Sequence, residues 1–488
     1  MSSDLSHAGD PSQAPPAKAA PIPAHLDRRL IEGPIAWTLI VFALPLMGSN
    51  LLHSVSGTVG AIWVSHVLGA DALTAVVNGN VILFMLLGMI FGIGMASNII
   101  IGQSFGAGNL ETIKRVAGTT VAFGLLCGLV LVLIGVLFTG DVVDLLRVPD
   151  EARGYAVRFL RGTCLSMPSI FVFILISMML RGCGDARTPF RYTLLWVSLQ
   201  MVFGPILLTG AFGFPKLGII GFVVGNVLAN GIALAAMLRA VYRKDHAIAL
   251  RGPELRFLVP DPTLLALLFR RGLPMAAESL LVQGAYVTVL AMVNDYGAAT
   301  ASAYGAVSQL WAYVQMPVMA ISASIASMAS QNIGAGRWDR VDRMALRGCL
   351  IGVGVTGTIV LAIYALGDLP LRLFLPDGGE ALDVAIGANS ITLWSWIFLA
   401  VTFGLFGVIR ANGAMVPPTL ILAGTLWLAR IPFAQGFEPM FGVGAIWWSF
   451  PVGTIVCALV SYAYYRWGGW RDNDLMLGAG PKPAGGAA

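Results

Sequence analysis

Charge is scarce in this chain. Asp, Glu, Lys and Arg make up 11% of its 488 residues, where soluble domains run to about a quarter. That shortage excludes a soluble protein of this length, and the 57% apolar content excludes a disordered one. Cysteine is sparse too. Cys127, Cys164, Cys183, Cys349 and Cys457 are odd in number and scattered without a CxxC pair, so neither a disulfide framework nor a metal site is indicated. The net charge of +5 sits in the connections between apolar runs, which gives no basis for nucleic-acid binding. No P-loop, zinc pattern or nucleophile elbow occurs. One GxGxxG match, Gly352 to Gly357, falls inside an apolar run with no strand before it, so its glycines serve helix packing and not a nucleotide.

Long apolar runs, by contrast, are abundant. Runs of 18 or more such residues read as membrane-spanning helices, and twelve are present: 35–64, 73–101, 117–138, 155–180, 190–212, 217–239, 273–293, 300–329, 348–366, 384–409, 414–436 and 441–465. The chain is thus expected to be an all-α, multi-pass membrane protein. The polar, Pro/Ala-rich start is expected to be a disordered tail, and the Gly/Pro/Ala-rich end from Trp467 another. Lys and Arg crowd onto the side that carries both termini, 23 against 7, which predicts both termini in the cytoplasm.

The longest connection, rich in Arg and Lys, separates two halves that repeat. Pro45 matches Pro274 and Arg181 matches Arg410, each 229 residues apart. Gly184 and Pro189 match Gly413 and Pro418 at the same offset, and Gln103-Ser104-Phe105-Gly106-Ala107-Gly108 matches Gln331-Asn332-Ile333-Gly334-Ala335-Gly336 at 228. Chance pairs would not hold one offset over so long a stretch. Six spans per repeat is even, so both halves cross in the same sense, related by a pseudo-two-fold axis along the membrane normal with a cavity between them. The expected order is a cytoplasmic tail (1–34), a six-helix lobe (35–240), a cytoplasmic linker (241–270), a second six-helix lobe (271–466) and a second tail (467–488).

These motifs resemble those of the multidrug and toxic compound extrusion (MATE) family. The residues that carry the match are Leu44-Pro45, Leu68 to Leu73, Gln103 to Gly108, Leu180 to Asp185, Gly272-Leu273-Pro274 and Gln331 to Gly336. The resemblance covers residues 35–465. It implies a 6+6 secondary antiporter in the bacterial inner membrane, monomeric and without a cofactor. It would export amphipathic, mainly cationic organic compounds against an H⁺ or, second, an Na⁺ gradient. Two other readings stand beside it: a flippase for a lipid-linked precursor, which would line its cavity with several cations, and an intramembrane lipid-modifying enzyme, which would want paired catalytic groups.

An ionisable group at mid-membrane is a functional candidate by default. Glu278 is the one carboxylate inside the expected spans, and His53 the one deeply placed histidine. His53 lies about 27 Å along the first span, on one face with Asn50 and Ser56. Where the family commonly has an Asp on this span, the chain has Val59-Gly60-Ala61, so His53 is the candidate to replace that titratable group. It could equally be a neutral interhelical histidine. On the seventh span a sodium-coupled branch has Glu eight residues after its Pro. Val282 stands there, and Glu278 lies one turn earlier, with Gln283 and Tyr286 further along. Glu278 would bind the coupling ion at the cavity base, or else pair with Arg270 or Arg271 at the helix start. The tenth and fifth spans hold no acid, which favours H⁺, since a hard cation wants several oxygen ligands. Arg430 falls near the end of its expected span, where snorkelling suffices. Asn78, Gln200, Asn226 and Asn230 are expected to be interhelical glue.

Overall fold

The computed structural model describes residues 28–145 and 150–472, so the parts of the expected tails at 1–27 and 473–488 lie outside the described residues. No strand occurs among the described residues. A bilayer interior offers no water to backbone N–H and C=O groups, and helices satisfy them within the segment. The first six long helices are α1 (Ile35–Leu68), α2 (Ala70–Gly106), α3 (Leu110–Leu145), α4 (Asp150–Gly182), α5 (Arg187–Thr209) and α6 (Ile219–Arg243). After the connection come α7 (Pro262–Asn294), α8 (Ala298–Gly334), α9 (Trp338–Leu366), α10 (Glu380–Ala411), α11 (Val416–Phe441) and α12 (Val443–Trp467). All twelve are long and apolar enough to cross a membrane. Their outer faces are apolar as well: Leu126, Leu129, Leu133 and Leu137 of α3 are all exposed. This is an integral, multi-pass membrane protein, and its even number of spans puts the first and last described residues on one side, here the terminal side.

Three stretches depart from expectation. Helix α7 begins at Pro262, well before residue 273, because Asp261 caps it and proline fits the first helical position. The Asp261 carboxylate accepts from the backbone N–H of Thr263 at 2.9 Å and of Leu264 at 3.4 Å. Residues 29–34, taken as tail, include a helical turn (Arg29–Glu32) with Leu30 and Ile31 buried. Asn332 donates to the Leu30 carbonyl at 2.9 Å. On the far side of Trp467, Trp470 is also no tail residue. It is fully buried in a turn at Gly469–Asp472, where the Asn412 side chain donates to its carbonyl at 2.8 Å.

The first helix of each lobe bridges both lobes. Ile35, Leu39 and Phe42 of α1 pack with Ile321, Ile325 and Phe406 of the second lobe, while Leu264 and Leu268 of α7 pack with Ile93, Phe171 and Met237 of the first. Each helix carries a proline, Pro45 or Pro274, within its first half.

The seam between the lobes is closed on the terminal side by the repeated motif. Gln103 donates to the Ala411 carbonyl at 2.7 Å, and Gln331 donates to the Gly182 carbonyl at 2.7 Å. The motif glycines let the backbones touch: a Cβ on Gly106 would lie 1.9 Å from the Gln331 oxygen, and one on Gly334 1.9 Å from the Gln103 oxygen. Gly108 and Gly336 then turn the chain at φ 77° and 71°. Gly106 and Gly334 are thus helical residues at a close approach, and the turns fall to Gly108 and Gly336. Gly352 packs against Ala400, but nothing lies within 4 Å of a Cβ built on Gly354 or Gly357, so the GxGxxG run is only partly a packing face.

A candidate ion-coupling site in the second lobe

Glu278 stands halfway along α7, in a gap that α10 and α11 close. Arg410, the last residue but one of α10, reaches it with Nη2 at 2.8 Å from Oε1 and 2.7 Å from Oε2. The Thr419 hydroxyl, in the first turn of α11, lies 3.0 Å from Oε2 and 3.2 Å from both the Pro274 and the Met415 carbonyls. It has one proton, so the carboxylate competes with two backbone acceptors for it. The pair is well buried, with side-chain exposure of 5% for Arg410 and 13% for Glu278. The expected alternative partner was Arg270 or Arg271, but Arg271 donates to the Gly413 carbonyl at 2.7 Å.

Arg410 and Thr419 were missed for simple reasons. Arg410 falls one residue beyond the expected tenth span, and a threonine near a helix start carries no signal. The available signal was the repeat itself, which marked Arg410 as the counterpart of Arg181.

Gln283 and Tyr286 are exposed on the same helix as Glu278, further from the terminal side. Tyr286 stacks on Tyr304, with centroids 5.6 Å apart, and Tyr304 stacks on Trp447 at 6.2 Å. Beside them is the largest departure from the expected polar map. Arg430 is not near an end: α11 runs to Phe441, so Arg430 lies about 21 Å from one end and about 16 Å from the other. It closes a π-helical turn, Thr425–Arg430. Its guanidinium covers the Phe450 ring at 3.4 Å and interacts with the Tyr304 hydroxyl. Its buried Nε and Nη2 have no hydrogen-bond acceptor.

His53 lies midway along α1 and is exposed, its ring edge-on to Trp196 at 5.4 Å. Asn50 is half-buried one turn before it. Among the described residues, no hydrogen bond or ring contact joins His53 or Asn50 to Glu278. The expected glue residues behave differently from expectation: Gln200 and Asn230 are buried with neither side-chain polar atom bonded, and Asn226 Oδ1 is likewise unpartnered. The side chain of Asn78 lies outside the described residues.

A twelve-helix body with repeated halves and a charged pair at the base of one lobe defines a class that the comparisons make specific. The MatE family model matches residues 45–206 and again residues 274–435, two matches displaced by 229 residues at both ends, the offset of the motif pairs. The chain belongs to the MatE family. It is 32% identical to the Probable multidrug resistance protein YoeA of Bacillus subtilis, covering 91% of this chain and 96% of that one. It is 28% identical to the Probable multidrug resistance protein YpnP of the same organism, over 91% and 98%. Its fold is that of the Vibrio cholerae MATE transporter VcmN in the bent form, with a TM-score of 0.81 at 19% identity over 90% of this chain and 98% of that one.

Proposed function

We propose that the protein is a secondary antiporter of the cytoplasmic membrane, monomeric, with both termini inside. In this reading it exports amphipathic, mainly cationic organic compounds in exchange for H⁺, with Na⁺ the second candidate. The ion pair between Glu278 and Arg410 is the observation that carries this reading. Within a low-dielectric wall a carboxylate either holds a counter-charge or takes up a proton, so the same site can be emptied and filled. The relatives' names, which speak of multidrug resistance, support an organic substrate.

The cycle follows from the connections of the pair. Glu278 belongs to α7, Arg410 to α10 and Thr419 to α11, and their bonds tie these helices together. A proton arriving on Glu278 removes the counter-charge of Arg410 and frees the Thr419 proton for a backbone carbonyl. The second lobe then relaxes, the seam at Gln103 and Gln331 opens, and the cavity faces the terminal side to take up substrate. Loss of the proton re-forms the pair and closes that side again. A ligand shifts such an equilibrium only by its differential affinity for the two states. His53, exposed opposite this lobe on α1, is the second proton carrier in this reading, with Asn50, Gln283 and Tyr286 lining the path.

The test is transport by purified protein in liposomes under an imposed pH or Na⁺ gradient, followed with ethidium, beside Glu278→Gln and His53→Gln. Wild type should move the dye under a pH gradient, and Glu278→Gln should abolish coupling. Undiminished proton-driven movement in Glu278→Gln would sink the assignment. Movement under neither gradient would sink the drug-export reading in favour of a lipid-type substrate.

A further inference from the structure

A cavity of about 380 Å³ opens on the terminal side where α1 meets the first lobe. One wall is built from Arg29 and Leu30 and from Trp37 and Phe42 of α1. That wall is fastened to the second lobe: Asn332 donates to the Leu30 carbonyl, Arg340 donates to the Gly33 carbonyl at 2.7 Å, and Phe42 lies in the second-lobe core. The opposite wall belongs to the first lobe, with Asp185, Arg187, Arg191 and Lys244. Both the cavity and the seam lie on the terminal side.

The chemistry of the lining is lopsided. On the first-lobe wall three cations stand with one carboxylate, and Asp185 is already occupied, its oxygens 2.9 Å from the Thr188 N–H and 2.5 Å from the Thr188 hydroxyl. Arg187 and Arg191 are exposed and form no ion pair among the described residues. Lys244 donates to the Thr188 hydroxyl, a neutral partner, at 3.1 Å. The start of α5 at Arg187 adds the positive end of a helix. An anion between the walls would meet Arg187, Arg191 and Lys244 on the first-lobe side and the α1 wall on the other.

The surroundings say which anion. Trp37 is 66% exposed beside the cavity, and Ile40 and Leu44 continue its exposed face along α1 at positions i+3 and i+7. An exposed tryptophan at the end of a spanning helix marks the headgroup level of a bilayer. A ligand here has its charge in a cationic pocket and an apolar strip leading from it into the membrane, as basic pockets between spanning helices offer to lipid headgroups.

We propose that this cavity binds the phosphate headgroup of an anionic phospholipid, and that the bound lipid latches the terminal-side seam shut by bridging the two walls. The latch rests on the rocking motion proposed above, whereas binding does not, so the two are measured separately. The full-length protein is reconstituted in phosphatidylcholine with or without phosphatidylglycerol. Retained phosphatidylglycerol is counted by native mass spectrometry, and hydrogen exchange is followed at residues 98–106 and 327–334. Phosphatidylglycerol should be retained and should slow exchange at both seam segments by about fivefold or more, the scale of an ordinary coupling between sites. Arg187→Gln with Arg191→Gln should lose both effects. The charge-matched control, Arg343→Gln with Arg347→Gln on the same side but outside the cavity, should keep them. Retention and slowing unchanged in the cavity variant would overturn the site. Slowing by inorganic phosphate in pure phosphatidylcholine would overturn the lipid in favour of a free anion. Retention without slowing would overturn the latch, whatever the transport assay shows.

Discussion

Glu278 and Arg410 form an ion pair that the other half of the chain cannot form. At the 229-residue offset Arg410 corresponds to Arg181, but Glu278 corresponds to Ser49, whose hydroxyl donates to the Pro45 carbonyl at 2.9 Å. Duplication supplied two arginines and only one carboxylate to meet them. The proposed coupling site is therefore confined to the second lobe.

The pair makes a stability prediction separate from transport. Glu278→Gln leaves Arg410, 4% exposed, without its counter-charge, and breaking a buried pair from one side costs about 3–5 kcal/mol. Adding Arg410→Met should restore much of that loss, because it removes the orphaned charge. Denaturation of both variants in detergent checks this. A double variant less stable than the single one would show that the arginine does other structural work.

Closure of the seam depends on two missing methyl groups. Gly334→Ala would set a Cβ 1.9 Å from the Gln103 carbonyl oxygen, a contact no rotamer relieves because both partners are backbone or Cβ. The expected result is faster hydrogen exchange at residues 98–106 and 327–334, with the body of the helices unchanged. Exchange equal to wild type would mean that the backbone yields at little cost.

Asp261 makes one pH prediction. The hydrogen bond from Arg115, at 2.6 Å, holds its carboxyl below the usual value of 3.8 against an opposing effect of burial, with help from the Thr263 and Leu264 N–H groups. A carboxyl depressed in the folded state adds stability above the unfolded-state value, and that stability is lost as pH falls through the lower, folded value. Asp261→Asn should thus lower the melting temperature at neutral pH, and the gap to wild type should narrow below about pH 4. Melting curves between pH 7 and pH 3 test it; a gap that stays constant would assign the effect to the cap alone.

The carboxyl end contributes more than its composition suggests. Removing the chain after Trp467 deletes the fully buried Trp470, a loss on the scale of about 3–5 kcal/mol for a large aromatic. It also strips Asn412 of both its acceptors, the Trp470 and Arg471 carbonyls. The truncated protein should melt well below full length, and Trp470→Phe should recover most of the difference.

The sequence displayed its architecture because membrane folds are written in runs of apolar residues and duplications in fixed offsets. Pro45 with Pro274 and Gln103 with Gln331 gave the repeat before any coordinate. What escaped was of another kind. The start of α7 was hidden by Arg270 and Arg271, which break an apolar count although Asp261-Pro262 is an ordinary helix opening. Trp470 was lost among glycines. Glu278 was found because lone intramembrane acids stand out, but its partner required knowing that α10 ends beside α7. Arg430 was misplaced by a boundary error of the same sense, since α11 runs past residue 436 to Phe441.

The crossing of α1 and α7 between lobes has a consequence for how the molecule comes into being. Each half lends apolar side chains to the other, Leu39 to the core of the second and Leu268 to that of the first, while α1 also packs on α5 where Gly48 meets Phe190. The core of the first six helices should therefore be complete only once α7 has been made, and that of the second six should draw on a helix made at the very beginning. The halves should melt in one transition, and coexpressed fragments cut at the 244–261 connection should assemble through these two bridging helices.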